Sequence, residues 1–426
     1  GPATADVDGD GTPEIIVAAT VLRWNKAQSR VDIVWSKAAA GGTWGTLSLA
    51  NDMDGDGKPE VVAGNRIYDG VTGAEKTPSV LNAVTLGGYA AIGDFNKDGS
   101  ADLVYIQSQR GGQQVMVVDV KNNAFLMNPT PIPGGWGGPP TVADFDGDGK
   151  PDFGTAGPRN YYVFSLDCLQ NPKPAKCKGA TPGVLWQSNT KDASSGGTAS
   201  SVFDFNGDGR AEVVYRDECW LRVYDGVEGK TVFARAVTSG TALEMPVVAD
   251  VDQDGHADLV VPSDDLQGNG YCSDQSPEAG TGQPHTGTTF GVLVLKDPMN
   301  RWVPSRGIWN EHTYHITNVS DNGTVPAREA PNWTSYNNYR QNIQGAAGAA
   351  PPQGDATGKG AIGLDQGDCV KLQRLYAQVC NRGAAPLGAG LPSTFYRMDP
   401  RQGNGAMTKI CTAVTKNALV PGKCEV

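Results

Sequence analysis

The 426-residue sequence predicts an all-β chain, a β-propeller followed by a small β-sandwich-like domain. Three observations predict it. An acidic Asp/Gly loop recurs six times at near-regular spacing. Short apolar runs of strand composition flank each copy. Gly and Pro make up about a fifth of the chain while charged residues are only 19%, the composition of a turn-rich globular protein rather than a disordered one.

The first loop carries Asp6, Asp8, Asp10, Gly11 and Glu14, and the second Asp52, Asp54, Asp56, Gly57 and Glu60. The third has Asp94, Asn96, Asp98, Gly99 and Asp102, and the fourth Asp144, Asp146, Asp148, Gly149 and Asp152. The fifth has Asp204, Asn206, Asp208, Gly209 and Glu212, and the sixth Asp250, Asp252, Asp254, Gly255 and Asp258. Successive loops start 46, 42, 50, 60 and 46 residues apart, a period that indicates a propeller or similar array.

Each loop position has a physical reason. Calcium takes six to eight oxygens, and side chains at positions 1, 3 and 5 of a tight loop converge on one point. Gly at position 6 suits a sharp turn at positive φ. Position 7 is Thr12, Lys58, Ser100, Lys150, Arg210 or His256. That variety puts its side chain in solvent and leaves its backbone carbonyl as the ligand. Position 9 restores a carboxylate. An EF-hand needs its Glu at position 12 and flanking helices, whereas here strand-like runs such as Val213-Val-Tyr215 follow the position-9 acid. About six Ca²⁺ ions are therefore expected, and their charge would take the formal −11 of the chain to +1.

Further strands follow each loop. Third-strand candidates are Val31–Trp35, Asn65–Tyr68, Gln114–Val118, Tyr161–Phe164, Trp220–Tyr224 and Gly291–Leu295, and a weaker fourth strand carries Trp44, Trp186 or Trp302 as inter-blade packing. Residues 263–290 break the pattern as a Gly/Ser/Pro-rich insertion. Asn318, Ser320, Asn322, Gly323 and Pro326 then follow the loop spacing without its carboxylates. They read as a seventh copy that kept its turn and lost its metal, so seven blades are expected, with six as the runner-up. His312 and His315 on a strand would point to opposite faces, which argues against a zinc site.

The repeat resembles the FG-GAP/VCBS-type family, the calcium-loop blades of integrin α-subunits and of bacterial secreted proteins, over about residues 1–340. The family's Phe-Gly and Gly-Ala-Pro signatures are mostly missing, with Phe153-Gly154 an isolated echo. The resemblance implies a propeller, calcium and an extracellular setting, not one activity. It places the propeller at 1–344, with an Ala/Gly/Pro linker at 345–360 and a partial immunoglobulin-like module at 361–426. Val379–Gly383 and Leu419–Cys424 of that module resemble CARDB-type adhesion domains.

Eight cysteines without metal-type pairs fit disulfides in an oxidising compartment. Cys168 and Cys177 flank one loop, elimination pairs Cys219 with Cys272, and Cys369, Cys380, Cys411 and Cys424 allow three pairings. The chain opens within a repeat, as expected of a processed or partial form of a longer precursor. No apolar run is long enough to span a membrane, and no basic stripe suggests nucleic acid.

No catalytic constellation stands out, since 22 of the 46 acidic residues sit at loop positions. The expected function is a secreted or surface-displayed bacterial binding or adhesion protein without catalysis, its partner a protein or glycan on a cell surface or matrix. A lectin or polysaccharide lyase is one alternative, with Trp333, Tyr336 and Tyr339 stacking on sugars. A self-assembling filament subunit is the other.

Overall fold

In a computed structural model of the chain, the residues described are 1–38, 45–84, 87–109, 112–132, 135–192, 194–252, 254–266, 272, 288–345, 356–365, 374–381, 386–396, 409–420 and 423–426. They form two units. One comprises Gly1–Gln253, Ala257–Leu295 and Ser305–Gln344; the other comprises Asp254–His256, Lys296–Pro304 and Gly345–Val426.

The first unit is built of six antiparallel sheets with up-and-down order. Sheet 1 holds β1 (Ala3–Ala5), β2 (Glu14–Val17), β3 (Thr20–Asn25) and β4 (Arg30–Ser36). Sheet 2 holds β5 (Ser48–Asn51), β6 (Glu60–Ala63) and β7 (Arg66–Asp69). Sheet 3 holds β8 (Gly88–Gly93), β9 (Asp102–Gln109), β10 (Gly112–Asp119) and β11 (Ala124–Pro131). Sheet 4 holds β12 (Thr141–Ala143), β13 (Asp152–Gly157), β14 (Asn160–Phe164) and β15 (Val184–Asn189). Sheet 5 holds β16 (Ser200–Phe203), β17 (Glu212–Arg216), β18 (Trp220–Tyr224) and β19 (Thr231–Ala236), and sheet 6 holds β20 (Val247–Ala249), β21 (Asp258–Ser263) and β22 (Gly291–Leu295). First strands lie side by side, β1 by β5, β8 by β12, β12 by β16 and β16 by β20, as blades of a propeller do. Every acidic loop joins the first strand of its sheet to the second.

Third strands fall as expected in sheets 2–6. In sheet 1 the third strand is Thr20–Asn25, and Val31–Trp35 belongs to the fourth. The reason is a tight turn at Ala18, whose φ is 54°, which lets Thr20–Asn25 pair with β2 directly. Trp35 thereby takes the fourth-strand place assigned to Trp44, which lies outside the described residues. Trp302 is described but lies in no strand.

The fourth-strand tryptophans do lock sheet to sheet. Trp35 Nε1 donates to Gly70 O of the next sheet's turn at 2.7 Å, and Trp186 Nε1 donates to Gly226 O at 2.6 Å. A Cβ on Gly229 would meet the Trp186 ring at 2.2 Å, so this glycine makes room for the indole. Trp186 also packs on Tyr161 and Tyr224. Replacing Trp186 with Phe removes this bond and part of the packing. A loss of about 2 kcal/mol is expected, measured by urea denaturation.

The first three strands of sheets 2 to 5 are almost wholly buried, while their outer strands β11 and β19 are partly exposed. Across these sheets, Phe95 packs edge-on to Phe153 at 6.1 Å, and Tyr161 packs on Tyr215 at 5.2 Å. Sheet 1 buries Ile16, Val21 and Trp35 but leaves its other face, with Ile15, Val17, Trp24, Val31 and Ile33, in solvent. At the far end Val292 and Val294 of β22 are exposed. Position 2 of the acidic loops shows the same ending, because Val7, Met53, Phe95, Phe145 and Phe205 are buried while Val251 is 46% exposed.

Among the described residues no seventh sheet follows. Residues 305–344 instead form a strap with only short helical turns at Ile316–Asn318 and Asn332–Ser335. The strap touches the hub strand of every sheet. Thr4 N donates to Glu311 Oε2 at 2.9 Å, Thr313 Oγ1 to Ser48 O at 2.9 Å, and Asp94 N to Asn337 Oδ1 at 2.8 Å. Val142 and Tyr339 exchange backbone bonds of 3.1 and 2.8 Å, Val202 N donates to Arg340 O at 3.1 Å, and Asn342 Nδ2 to Val248 O at 2.8 Å. Buried first strands need partners for their free backbone edge, and the strap supplies them.

His312 and His315 lie in this strap, in no strand. His312 Nε2 meets Leu243 O at 2.5 Å, whereas His315 bonds Thr313 O through Nδ1 and Glu329 Oε1 through Nε2 at 2.6 Å. The two rings serve separate contacts. Burial lowers the His312 pKa from 6.5 to about 3, with help from the Arg340 charge. The unfolded chain accepts this proton near pH 6.5 and the folded chain refuses it until about 3. Stability from His312 is thus fully present above 6.5 and falls as the pH drops, by up to about 1.4 kcal/mol per unit. His312→Gln is expected to flatten the melting temperature between about pH 6.5 and about pH 4.5 relative to the parent.

The second unit has a sheet of β23 (Ala356–Asp365), β24 (Arg374–Asn381) and, after the next two strands, β27 (Cys424–Glu425); those two, β25 (Pro392–Tyr396) and β26 (Lys409–Val414), pair separately. Residues 356–360, assigned above to the linker, therefore belong to a strand, because pairing with β24 gives their backbone groups partners. Disulfides join Cys168 to Cys177, Cys219 to Cys272 and Cys380 to Cys424. Cys411 is an exposed free thiol, and Cys369 lies outside the described residues. No described helix is long and apolar enough to cross a membrane.

Candidate metal centre

The six loops share one hydrogen-bond plan. Position 6 is a glycine at φ between 81° and 89° in every copy, a conformation that a Cβ would strain. The position-1 carboxylate gathers the turn. Asp6 accepts from the Asp10 and Gly11 amides at 3.0 and 2.7 Å, and Asp94, Asp144 and Asp204 repeat both bonds. Asp52 accepts from Gly57 N at 2.8 Å. Position 7 donates its N–H to the position-5 carboxylate, as Thr12 does to Asp10 at 2.7 Å and Lys58 to Asp56 at 2.8 Å. Ser100, Lys150, Arg210 and His256 do the same to Asp98, Asp148, Asp208 and Asp254. Position-7 side chains face solvent in the first five loops, to varying degree. His256 departs from expectation, being buried with Nδ1 on Trp302 O at 2.8 Å.

Position 9 commits one carboxylate oxygen to the amide of position 2. Glu14 accepts from Val7, Glu60 from Met53, Asp102 from Phe95, Glu212 from Phe205 and Asp258 from Val251, at 2.7–3.1 Å. The other oxygen of Asp102 is buried without a hydrogen-bond partner, while that of Glu14 meets Arg23 and that of Glu60 meets Lys76. In the first, second and fourth loops, carboxylate oxygens of Asp6, Asp8 and Asp10, of Asp52, Asp54 and Glu60, and of Asp144, Asp146 and Asp152 each lie within 4.8 Å of one another.

The decisive feature is satisfaction. Asp102 Oδ1 and Asp152 Oδ2 are buried without a hydrogen-bond partner, and both residues are at most 1% exposed. An orphaned buried carboxylate oxygen is costly. Burial accordingly pushes Asp102 up to about 7 and Glu212 up to about 7, raises Glu14 and Glu60, and raises Asp152 well above its ordinary range. A hard divalent cation on these oxygens would remove the cost, so the residues fit calcium.

Residues 94–155 and 192–261 match the FG-GAP-like repeat. These matches cover the third, fourth, fifth and sixth FG-GAP-like loops. No curated protein matches the chain. Among solved structures, the biofilm matrix protein Bap1 of V. cholerae is 17% identical, with 81% of this chain and 77% of that one aligned at a TM-score of 0.55. The rhamnogalacturonan lyase YesW is 18% identical over 62% of this chain and 43% of its own, at 0.41. An Agrocybe aegerita lectin recognising non-reducing terminal N-acetylglucosamine is 17% identical over 61% of this chain and 73% of its own, at 0.38. The likeness to Bap1 speaks for the fold.

The Asn318–Pro326 stretch, expected to be a seventh copy, has a similar turn. Gly323 sits at φ 81° and Thr324 N donates to Asn322 Oδ1 at 3.1 Å, the position-7-to-5 bond again. Asn318 turns instead to Asn310.

Between the fourth and fifth loops and the strap lies a cleft of about 360 Å³ lined by Tyr336, Asn338, Gln341 and Gln344. Of the three aromatics considered for sugar stacking, Tyr336 is 46% exposed. Trp333 is buried with Nε1 on Gly99 O, and Tyr339 is buried against His315 and Arg340. Asp192 is buried and accepts hydrogen bonds from Ser195, Gly196, Thr198 and Tyr215. It organises a turn. The strap was missed because its polar Asn337–Gln344 run reads as surface; such a dense run of amide side chains beside Tyr and Arg was the available signal.

Proposed function

We propose that the chain is an extracellular, calcium-stabilised binding or adhesion protein without catalytic activity, secreted or displayed on a bacterial cell surface. The observation that carries this is the set of orphaned buried carboxylate oxygens in an iterated loop. Asp and Asn side chains at positions 1, 3 and 5 and the acid at position 9 would hold the ion, whose role is charge neutralisation and loop closure. Carboxylates so engaged are poor general acids or bases. The similarity to Bap1, a biofilm matrix protein, supports a role outside the cell, as do three disulfides. In this reading residues 1–344 form the propeller, and 361–426 a module that connects it to other domains, CARDB-like in kind. The partner is a protein or glycan, and the cleft beside Tyr336 is one place to receive it.

A second reading, self-assembly into a matrix or filament, is favoured by the uncovered apolar face of sheet 1. One experiment addresses the first reading. The chain is incubated with matrix polysaccharides, including uronate-containing ones, and both retention and unsaturated ends are measured. Retention without new ends is expected; release of unsaturated ends would overturn the non-catalytic reading in favour of a lyase.

A further inference from the structure

The loops divide by charge, and the division is matched elsewhere in the chain. Four loops have an Asp at position 3 and carry four acids; the third and fifth have Asn96 and Asn206 there and carry three. Each four-acid loop is met by a basic side chain. Arg23, on β3, bonds Asp8 and meets Glu14 at 2.6 Å. Lys76, beyond β7, places Nζ 2.7 Å from Asp54, 2.8 Å from Glu60 and 3.7 Å from Asp56. Lys176, in the Cys168–Cys177 loop, meets Asp146 at 2.7 Å and Asp148 at 2.6 Å. Lys296, following β22, meets Asp254 at 2.5 Å.

Among the described residues no Lys or Arg pairs with the acids of the third or fifth loop. Lys121, which approaches the third loop, bonds the Ser100 hydroxyl at 3.0 Å. The position-3 amides donate elsewhere, Asn206 Nδ2 to Asp208 of its own loop at 3.3 Å and Asn96 Nδ2 to Asp119 at the end of β10 at 3.2 Å. The four basic residues come from different places in their sheets, so repetition of the blade does not explain them. The added carboxylate does: the four acids of each such loop and the tethered cation sum to three negative charges, the same as the three acids of each loop without one.

We propose that Arg23, Lys76, Lys176 and Lys296 are built-in counter-ions that hold the four-acid loops closed without metal and give way when calcium binds. This rests on the calcium reading above. Lys76 shows why they must give way. Its ammonium takes Glu60 Oε1, the oxygen not committed to Met53 N, together with Asp54 Oδ2. Those are oxygens the ion would need. Among the described residues the third and fifth loops have no such counter-ion, and without metal only the turn's own hydrogen bonds hold them.

The test compares the full chain with Lys76→Gln and with Asp54→Asn/Lys76→Gln, which reproduces the charge of the third and fifth loops. Melting is followed in chelator and in saturating calcium, and calcium affinity by calorimetric titration. Lys76→Gln should melt well below the parent in chelator, match it in calcium, and gain about tenfold in affinity at one site. The double variant should recover the parent's melting in chelator. A single variant that melts like the parent in chelator, or binds calcium no more tightly, overturns the proposal. So does a double variant no better than the single one. Should the parent bind no calcium, the calcium reading fails, while the chelator melts still decide the counter-ion claim.

Discussion

Chelation of calcium is expected to lower the thermal midpoint of this chain by more than about 10 °C, with recovery on adding calcium back. At a free calcium concentration about a hundred times the dissociation constant, each occupied loop adds about 2.7 kcal/mol. Six loops then supply on the order of 15 kcal/mol, as much as the whole stability of an ordinary domain, about 5–15 kcal/mol. The effect arises because the position-9 acids, Asp102 and Asp152 among them, are buried and pay for that burial only when an ion is present. Magnesium should restore little, since it tolerates poorly a wide, irregular oxygen set. Differential scanning calorimetry in chelator, calcium and magnesium measures this. A midpoint indifferent to chelation would mean that the loops hold their turns by hydrogen bonds alone.

The second large effect is expected at Asn342. This fully buried side chain donates to Val248 O at 2.8 Å, to Arg306 O at 2.9 Å and to Ile308 O at 3.3 Å. Its Oδ1 accepts from Tyr314 Oη and from Ile343 N, at 2.9 and 2.8 Å. One amide thus ties the strap to β20 and to itself. Asn342→Ala leaves several buried polar groups without partners, each worth about 1–3 kcal/mol. A loss of about 4 kcal/mol is expected, read as a lower urea midpoint with calcium saturating. Exposed Asn322 of the charge-stripped loop is the control, where Ala should cost about 0.5 kcal/mol or less.

The loops were legible because their function is local. Spacing of Asp, Gly and the position-9 acid dictates a turn whose partners all lie within nine residues, and the glycine φ values follow from the same constraint. Strand order was legible wherever the turn after the second strand matched its neighbours, and it slipped in sheet 1, where Thr20–Asn25 carries Arg23 and Asn25 in place of an apolar run. The strap was not legible. Its partners, Thr4, Ser48, Asp94, Val142, Val202 and Val248, are scattered over most of the chain, and a polar sequence gives no sign that it is buried. For the same reason the Trp333 and Tyr339 rings looked available and are not. The basic partners of the four-acid loops were hidden too, since Lys76 and Lys176 meet carboxylates 16 to 30 residues away through the fold.

Counting ions tests the central claim most directly. Equilibrium dialysis of the metal-stripped chain against labelled calcium should give about six bound ions per chain, with the third and fifth loops filled among them. Loss of one ion is expected for Asp102→Ala. A chain that binds none at saturating calcium would contradict the account, whatever its melting curve shows.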